Sequence, residues 1–277
     1  ALTYSASNLP NGATFDPETR VFSWTSAEGQ AGQYSVTFTV SDGSLTDTEM
    51  ITIIVVNPNL VGHWKMNDST ANTTVADGSG KGHNGTAREN TSALSTTGKI
   101  DSALTFNGTS DYVNCGNNSS LDITDAITIS AWVKFNRLGI DQGIVDKGFN
   151  NISGVIRLWI WSGNNKVYFD APEGTVRING APVGGFSINT WYHIVATYDK
   201  NAGPNNLNLY INGTNVATST DTDAMGTNNA DLIIGARKQG SGEFFSGLID
   251  NVMIYNKALS QEKIATLYNG GAGTETF

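Results

Sequence analysis

The first 57 residues form short runs in which apolar and polar side chains largely alternate. Residues 21–24, 34–40 and 50–56 follow the two-residue period expected of half-buried β-strands. Turn-forming residues separate these runs, at Pro10-Asn11-Gly12, Glu28-Gly29 and Ser41-Asp42-Gly43. Short strands at this spacing predict a small, immunoglobulin-like β-sandwich.

Many more strand-like runs follow from Leu60 onward. They cover residues 60–66, 103–106, 127–135, 155–161, 167–170, 175–178, 191–198, 207–211, 231–235 and 244–255. Residues 136–154 are interpreted as a long loop. One helix is predicted over 261–268, with Ser260 as its N-cap and Asn269-Gly270-Gly271 as its end. So many strands without alternating helices predict a two-sheet jelly roll.

The segment Asn57-Pro58-Asn59 separates the two patterns, since proline stiffens the chain and lacks a backbone donor. The predicted domains are therefore residues 1–57 and 58–277, and the fold class is all-β.

Composition limits the possible partners. The net charge is −9 and only 15% of residues are charged, which disfavours binding to the phosphate backbone of nucleic acids. No apolar run is long enough to span a membrane as a helix. The single cysteine, Cys115, excludes an internal disulfide and is interpreted as a small buried apolar residue.

Several motifs resemble known families. Within residues 1–57, Phe22-Ser23-Trp24 and the run from Gly32 to Gly43 resemble the cadherin-like immunoglobulin modules of bacterial surface proteins. The first strand of that family would precede Ala1, so we expect a partial module.

Residues 58–277 resemble the laminin G-like branch of the concanavalin A-like superfamily through Ile127-Thr128-Ile129-Ser130-Ala131-Trp132, Trp191-Tyr192-His193-Ile194-Val195 and Gly247-Leu248-Ile249-Asp250-Asn251. This resemblance implies glycan or ligand binding by an accessory module of a larger secreted or cell-surface protein, most simply a bacterial one.

The same resemblance implies a calcium ion that ties an early loop to the penultimate strand. The matching positions are Asp77 and Asn84 in the loop and Asp250 in the strand, and Gly82 and His83 could contribute backbone carbonyls. Calcium takes six to eight oxygen ligands, and a glycine-rich loop such as 77–86 can turn several carbonyls inward. The alternative is that Asp77 caps a turn and Asp250 accepts backbone hydrogen bonds.

Strand alternation also predicts a face for ligand contact. If Leu158, Ile160, Val167 and Phe169 point into the core, the residues between them point the other way. Aromatic rings stack on sugar faces, and arginines donate to hydroxyls and carboxylates. The candidate carbohydrate-binding residues are Arg157, Trp159, Trp161, Tyr168 and Arg177, and the two arginines favour an acidic polysaccharide. Alternatively, Trp159 and Trp161 lie beneath the 136–154 loop or against the first domain.

No run of alternating acids on a strand suggests the carboxylate pair of a retaining glycosidase, and no Gly-x-Ser-x-Gly elbow occurs. The predicted function is therefore a non-catalytic, calcium-stabilised carbohydrate-binding module that accompanies other domains. An adhesion or spacer module with a protein partner is the alternative. A glycoside hydrolase or polysaccharide lyase, with an active site assembled from distant residues, is a third.

Overall fold

The computed structural model describes residues 1–27, 30–148, 155–171 and 177–275. The predicted turn at Glu28-Gly29 and the first two residues of the strand predicted over 175–178 lie outside these ranges. The chain divides into two compact units, residues 1–58 and residues 59–275. Within the described ranges, no helix is both long and apolar enough to cross a membrane.

The first unit consists of short antiparallel strands, as its alternating pattern predicts. One sheet has the order β1-β4-β5, with β1 at Thr3–Ser7, β4 at Gly32–Ser41 and β5 at Thr46–Val55. A second sheet pairs β2 (Thr14–Asp16) with β3 (Val21–Ser23). Phe15 and Phe22 pack edge-on against Phe38 between the two sheets, with ring centroids 5.6 and 6.0 Å away.

The second unit contains two eight-stranded antiparallel sheets within the described residues. Sheet I has the order β19-β18-β17-β12-β21-β10-β9, and β6 also pairs with β21. Its strands are β6 (Leu60–Trp64), β9 (Ser95–Thr97), β10 (Ser102–Asn107), β12 (Ala126–Phe135), β17 (Trp191–Asp199), β18 (Leu207–Ile211), β19 (Thr214–Ser219) and β21 (Ser246–Tyr255).

Sheet II has the order β16-β15-β14-β13-β20-β11-β8-β7. Its strands are β7 (Thr74–Val75), β8 (Gly85–Ala87), β11 (Val113–Asn114), β13 (Gln142–Lys147), β14 (Ile156–Trp161), β15 (Lys166–Asp170), β16 (Arg177–Gly180) and β20 (Leu232–Ile234). The prediction of an all-β chain with a two-sheet second domain is confirmed.

The core of the second unit fills the space between sheets I and II. Sheet I contributes Ile129, Ala131 and Val133 from alternate positions of β12, and sheet II contributes Leu158 and Ile160 from β14. Alternation places the intervening residues on the outer faces of the sheets. The two-residue period in the sequence therefore gives the correct face for these strands.

Two helices of the α type occur among the described residues, α1 at Thr91–Leu94 and α2 at Gln261–Tyr268. The predicted boundaries of α2 are confirmed. The Ser260 hydroxyl accepts a hydrogen bond from the Lys263 backbone N–H, and Asn269 ends the helix in the left-handed conformation with φ of 48°.

The interpretation of residues 136–154 as a long loop is wrong, because β13 occupies Gln142–Lys147 in the middle of sheet II. A β-bulge between Gly143 and Val145 interrupts the register with β14. The bulge lets the consecutive residues Ile144 and Val145 both join the core, so the strand lacks the alternation by which strands are recognised. Residues 149–154 lie outside the described residues.

Candidate functional site

A continuous row of cross-strand neighbours crosses the outer face of sheet II. Successive partners in the register are Thr74, Thr86, Asn114, Ile233, Asp146, Arg157, Asp170 and Arg177. Residues directly opposite one another in antiparallel strands share a face. At the β13–β16 end, the row alternates between carboxylate and guanidinium.

The five predicted ligand residues all lie on this outer face, at the end formed by β14, β15 and β16. We call them the aromatic–arginine face: Arg157, Trp159, Trp161, Tyr168 and Arg177. None of the five belongs to the hydrophobic core between the sheets. Trp159 is directly opposite Tyr168, and Arg157 is directly opposite Asp170. The structure therefore brings together the residues that strand alternation selected.

Both arginines of this face are paired with carboxylates. Arg157 Nε donates to Asp146 Oδ1 at 2.9 Å, and Arg177 donates through Nε and Nη2 to the two oxygens of Asp170 at 2.7 and 3.2 Å. Burial raises the pKa of Asp146 to about 6, although Arg157 and Arg237 act in the opposite direction. The positive charge on which the expectation of an acidic ligand rested is thus offset within the protein.

Trp159 is covered rather than open to solvent. Its side chain is 5% exposed, and the Arg237 guanidinium carbon lies 3.9 Å from the centroid of its ring. The indole N–H donates to Asp170 Oδ2 at 3.1 Å, and the Tyr168 ring packs 5.2 Å away. These contacts come from its own domain. Arg157 and Tyr168 are also buried, so three of the five predicted residues offer little surface to a ligand.

Trp161 and Arg177 are the exposed members of the face. Trp161 is 42% exposed, and its ring meets Tyr168 edge-on at 5.8 Å. The Arg177 side chain is 45% exposed and lies 5.6 Å over the Tyr168 ring. Because Tyr168 supports both side chains, Trp161 presents an indole ring with a charged donor on the same surface.

A short segment crosses the middle of the outer face. We call residues 236–243 the covering loop. Its Lys238 backbone N–H donates to Asp146 Oδ2 at 3.0 Å, and Arg237 pairs with Glu243 while lying over Trp159. Lys238, Gln239 and Gly240 have consecutive φ values of 55°, 58° and 72°. Such conformations persist only where surrounding contacts hold them.

Sequence reasoning missed Asp146, Asp170 and Arg237. Asp170 could have been found, since it follows Tyr168 by two positions on the same strand and so shares its face. Asp146 was hidden by the bulge in β13. Arg237 has no local signal, because it reaches Trp159 from a loop more than 70 residues further along the chain.

The side chains expected to bind calcium accept hydrogen bonds from neighbouring protein groups. The Asp77 carboxylate accepts the backbone N–H groups of His63, Ser79 and His83 and the Ser79 hydroxyl, all at 2.8–3.0 Å. A carboxylate has about four lone-pair positions, so these four donors fill it. Asn84 Oδ1 accepts the Asp77 backbone N–H at 2.9 Å.

Asp250 is engaged elsewhere: its Oδ2 accepts the backbone N–H groups of Lys99 and Ile100 at 2.7 and 2.9 Å. Among the described residues, its Oδ1 has no hydrogen-bond partner, and burial raises its pKa to about 7. No group of three or more His, Cys, Asp or Glu side chains in the described part of the chain could hold a metal ion. Gly82 has φ of 82° and lies in open space. As arranged, these four residues do not fit a calcium cage, so the expectation of a calcium ion rests on the family resemblance alone.

The two-sheet sandwich defines the fold class of the second unit, and comparison with known families identifies the superfamily. Residues 107–265 match the model of the concanavalin A-like lectin/glucanases superfamily, and residues 1–56 match the model described as "Putative Ig domain". The chain belongs to the concanavalin A-like lectin/glucanase superfamily, with an immunoglobulin-type module before it. Both resemblances drawn from the sequence are confirmed. No curated protein matches the chain.

Solved structures share this fold at low sequence identity. Domain 4 of AbnA, a GH43 extracellular arabinanase from Geobacillus stearothermophilus in complex with arabinotriose, is 21% identical with a TM-score of 0.57, covering 75% of this chain and 97% of that one. The binding domain of Paraclostridial Mosquitocidal Protein 1 is 20% identical with a TM-score of 0.59, covering 77% of this chain and 52% of that one.

Trypanosoma rangeli sialidase is 15% identical with a TM-score of 0.54, covering 89% of this chain and 44% of the sialidase. This chain therefore spans almost all of the arabinanase domain but about half or less of the other two. At these identities the likeness is one of fold.

Proposed function

We propose that this chain is a non-catalytic carbohydrate-binding module of a secreted or cell-surface protein, and that it binds a glycan on the aromatic–arginine face. The observation that carries the proposal is the 42% exposed ring of Trp161, which meets the Tyr168 ring edge-on, while Arg177 lies over the same Tyr168 ring. An indole ring can stack on the apolar face of a sugar, while a nearby guanidinium donates to hydroxyls. The arabinotriose complex of the similar arabinanase domain supports the same class of ligand.

The ion pairs refine the ligand expected at this face. Arg157 and Arg177 are each neutralised by an aspartate, and the whole chain carries a net charge of −9. An anionic polysaccharide would gain little from paired arginines and would be repelled by the acidic surface. We therefore propose an uncharged glycan in place of the acidic polysaccharide expected from the sequence.

Catalysis is not part of the proposal, because the carboxylates of this face are inaccessible. Asp146 and Asp170 are both fully buried, and each is bound to an arginine. Most glycoside hydrolases use two carboxyl groups that flank the scissile bond. The proposed binding of a glycan does not depend on calcium, because the Asp77 carboxylate already accepts four hydrogen bonds.

The test is affinity electrophoresis of the whole chain in native gels that contain neutral, uronic or sulfated polysaccharides, followed by titration with arabinotriose, xylotriose and cellotriose. We expect retardation by a neutral polysaccharide, and its loss in Trp161→Ala. The matched control is Trp191→Ala, since Trp191 is a partly exposed tryptophan of sheet I with a lysine, Lys134, 5.3 Å over its ring. Equal retardation of Trp161→Ala and wild type would contradict the proposed face.

One observation favours the alternative function, an adhesion or spacer module with a protein partner. Strand β5 of the first unit lies at the edge of its sheet, and Met50 and Ile54 on one of its faces are 67% and 64% exposed. Edge strands with exposed apolar residues readily pair with another chain. Failure of every polysaccharide to retard the chain would favour this function.

A further inference from the structure

A cleft opens on the outer face of sheet II, on the other side of the covering loop from Trp161. We call it the second cleft, because it is separate from the aromatic–arginine face. Its volume is about 510 Å³, and its polar and aromatic lining comes from Asn84, Thr86, Arg88, Tyr112, Asn114 and Asp231. Thr86 and Asn114 belong to the same cross-strand row as Arg157 and Arg177. None of the five residues of the aromatic–arginine face lines this cleft, whereas Asn84, expected from the sequence as a calcium ligand, does.

The side chains of the second cleft are held in place by hydrogen bonds behind them. Asn114 accepts the Gly116 backbone N–H at 2.8 Å and donates to Asp231 Oδ2 at 2.8 Å. The side chain of Gln239, in the covering loop, makes two hydrogen bonds to the Asp231 backbone. It accepts the Asp231 N–H at 3.0 Å and donates to the Asp231 carbonyl at 3.2 Å. A site whose groups are already ordered loses less conformational entropy when it binds a ligand.

Tyr112 supplies the aromatic surface of the cleft. Its ring packs so closely against Gly240 that a Cβ there would lie 2.8 Å from the ring, and the Arg88 guanidinium lies 5.6 Å from the ring centroid. Arg88 and Thr86 are exposed, while Tyr112, Asn114 and Asp231 are half-buried. The covering loop thus positions a ring in this cleft with Gly240, as it covers Trp159 on the other side with Arg237.

The mixture of groups indicates the ligand. The cleft combines a guanidinium donor, a carboxylate acceptor, an amide and a hydroxyl around one phenol ring. A purely anionic ligand would be opposed by Asp231, a purely cationic ligand by Arg88, and an apolar ligand would leave both groups desolvated without partners. A compact neutral polyol, which both donates and accepts at several points and has an apolar face, satisfies all of them.

We propose that the second cleft is a separate carbohydrate-binding site that takes one or two uncharged sugar residues. It shares the class of ligand with the proposed function and none of its residues. The strands that carry the two sites, β11 and β14, are three positions apart in sheet II, which corresponds to roughly 14 Å. Two sites on one face would bind a long polysaccharide more tightly than either site alone.

The test is a titration of the ¹⁵N-labelled whole chain with arabinotriose, xylotriose and cellotriose, followed by NMR. We expect shifts in two groups of signals, the Trp161 indole N–H in one and the backbone N–H groups of Gly116 and Asp231 in the other. Arg88→Ala and Asp231→Asn should each weaken the affinity reported by the Gly116 and Asp231 signals roughly tenfold, and leave the affinity reported by the Trp161 signal unchanged. Trp161→Ala should do the reverse.

The matched control is Arg20→Ala, which removes a similar exposed arginine lying 4.8 Å over the Tyr4 ring in the first unit. Shifts at Trp161 alone would overturn the second site and leave the proposed function standing. Shifts at Gly116 and Asp231 alone would support the second site and overturn the aromatic–arginine face. No shift with any of the three sugars would overturn both.

Discussion

The guanidinium carbon of Arg237 lies 3.9 Å from the centre of the Trp159 ring. Arg237 belongs to the covering loop and Trp159 to the middle of β14, so the contact holds the loop against the outer face of sheet II. It also removes Trp159 from the surface available to a ligand. Together with Tyr168 and Arg177, which also pack against Trp159, this contact leaves Trp161 as the exposed tryptophan of β14.

The Arg237–Trp159 contact can be measured by a double-mutant cycle. We expect Arg237→Ala and Trp159→Phe each to destabilise the second unit, with a coupling of about 1–2 kcal/mol because the pair is desolvated. Urea unfolding of wild type, both single variants and the double variant gives the value. Strictly additive effects would show that the cation and the ring do not interact.

Substitution of Trp159 should lower the stability of the second unit, whereas substitution of Trp161 should lower its affinity for a ligand. Trp159 is 5% exposed, so Trp159→Ala should cost about 3–5 kcal/mol of unfolding free energy. Trp161 is 42% exposed, so Trp161→Ala should cost less than about 1 kcal/mol and act on ligand affinity instead. Chemical denaturation beside the affinity gels tests both. Comparable destabilisation by the two variants would contradict the observed difference in burial.

Gly143 should be intolerant of a side chain. A Cβ at this position would overlap the carbonyl group of Ala236, at the start of the covering loop. We expect Gly143→Ala to displace the loop and destabilise the unit by about 1–3 kcal/mol. Near-ultraviolet circular dichroism and urea unfolding report both effects. Gly82→Ala is the control for the loss of a glycine, because a Cβ there would meet nothing within 4 Å and only its positive φ opposes alanine.

The hydrogen bonds to Asp77 lead us to expect that calcium does not stabilise this chain. Thermal unfolding in the presence of calcium or of a chelator should give the same Tm. Asp77→Asn should cost about 1–3 kcal/mol under both conditions, because an amide cannot accept all four hydrogen bonds. A Tm that rises with calcium in wild type and not in Asp77→Asn would establish the calcium site.

His193 should make the second unit sensitive to acid. Its ring is buried, its Nε2 lies 2.8 Å from Ser130 Oγ, and burial lowers its pKa to about 3. The unfolded chain takes up this proton near pH 6.5, so the stability contributed above that pH is lost as the pH falls towards 3. Between pH 6.5 and 5 the loss from this residue is about 2 kcal/mol.

The measurement is the unfolding free energy of wild type and His193→Gln across this pH range. The variant lacks the titrating group, so the difference between the two proteins should narrow by about 2 kcal/mol between pH 6.5 and 5. Parallel curves would show that His193 is protonated in the folded protein. Asp146, whose pKa is raised to about 6, increases the unfolding free energy as the pH falls. This contribution is the same in wild type and variant and therefore cancels in the difference between them.

Local patterns determined much of the fold. Helix α2 followed from the Ser260 cap and the Asn269 end, because these residues satisfy backbone groups of the helix itself. The faces of β14 and β15 followed from alternation, which is a geometric property of any strand. The position of β13 could not be predicted, since a bulge places Ile144 and Val145 together in the core and removes the two-residue period.

For the candidate site, the sequence by itself determined which side chains point away from the core of sheet II. Only the tertiary structure decided which of them are exposed. Asp146 and Asp170 reach the arginines from neighbouring strands, and the covering loop brings Arg237 onto Trp159 and Gln239 onto Asp231. Outward orientation depends on a local two-residue period, whereas exposure depends on partners that lie on other strands and loops, and spacing along the chain carries no information about them.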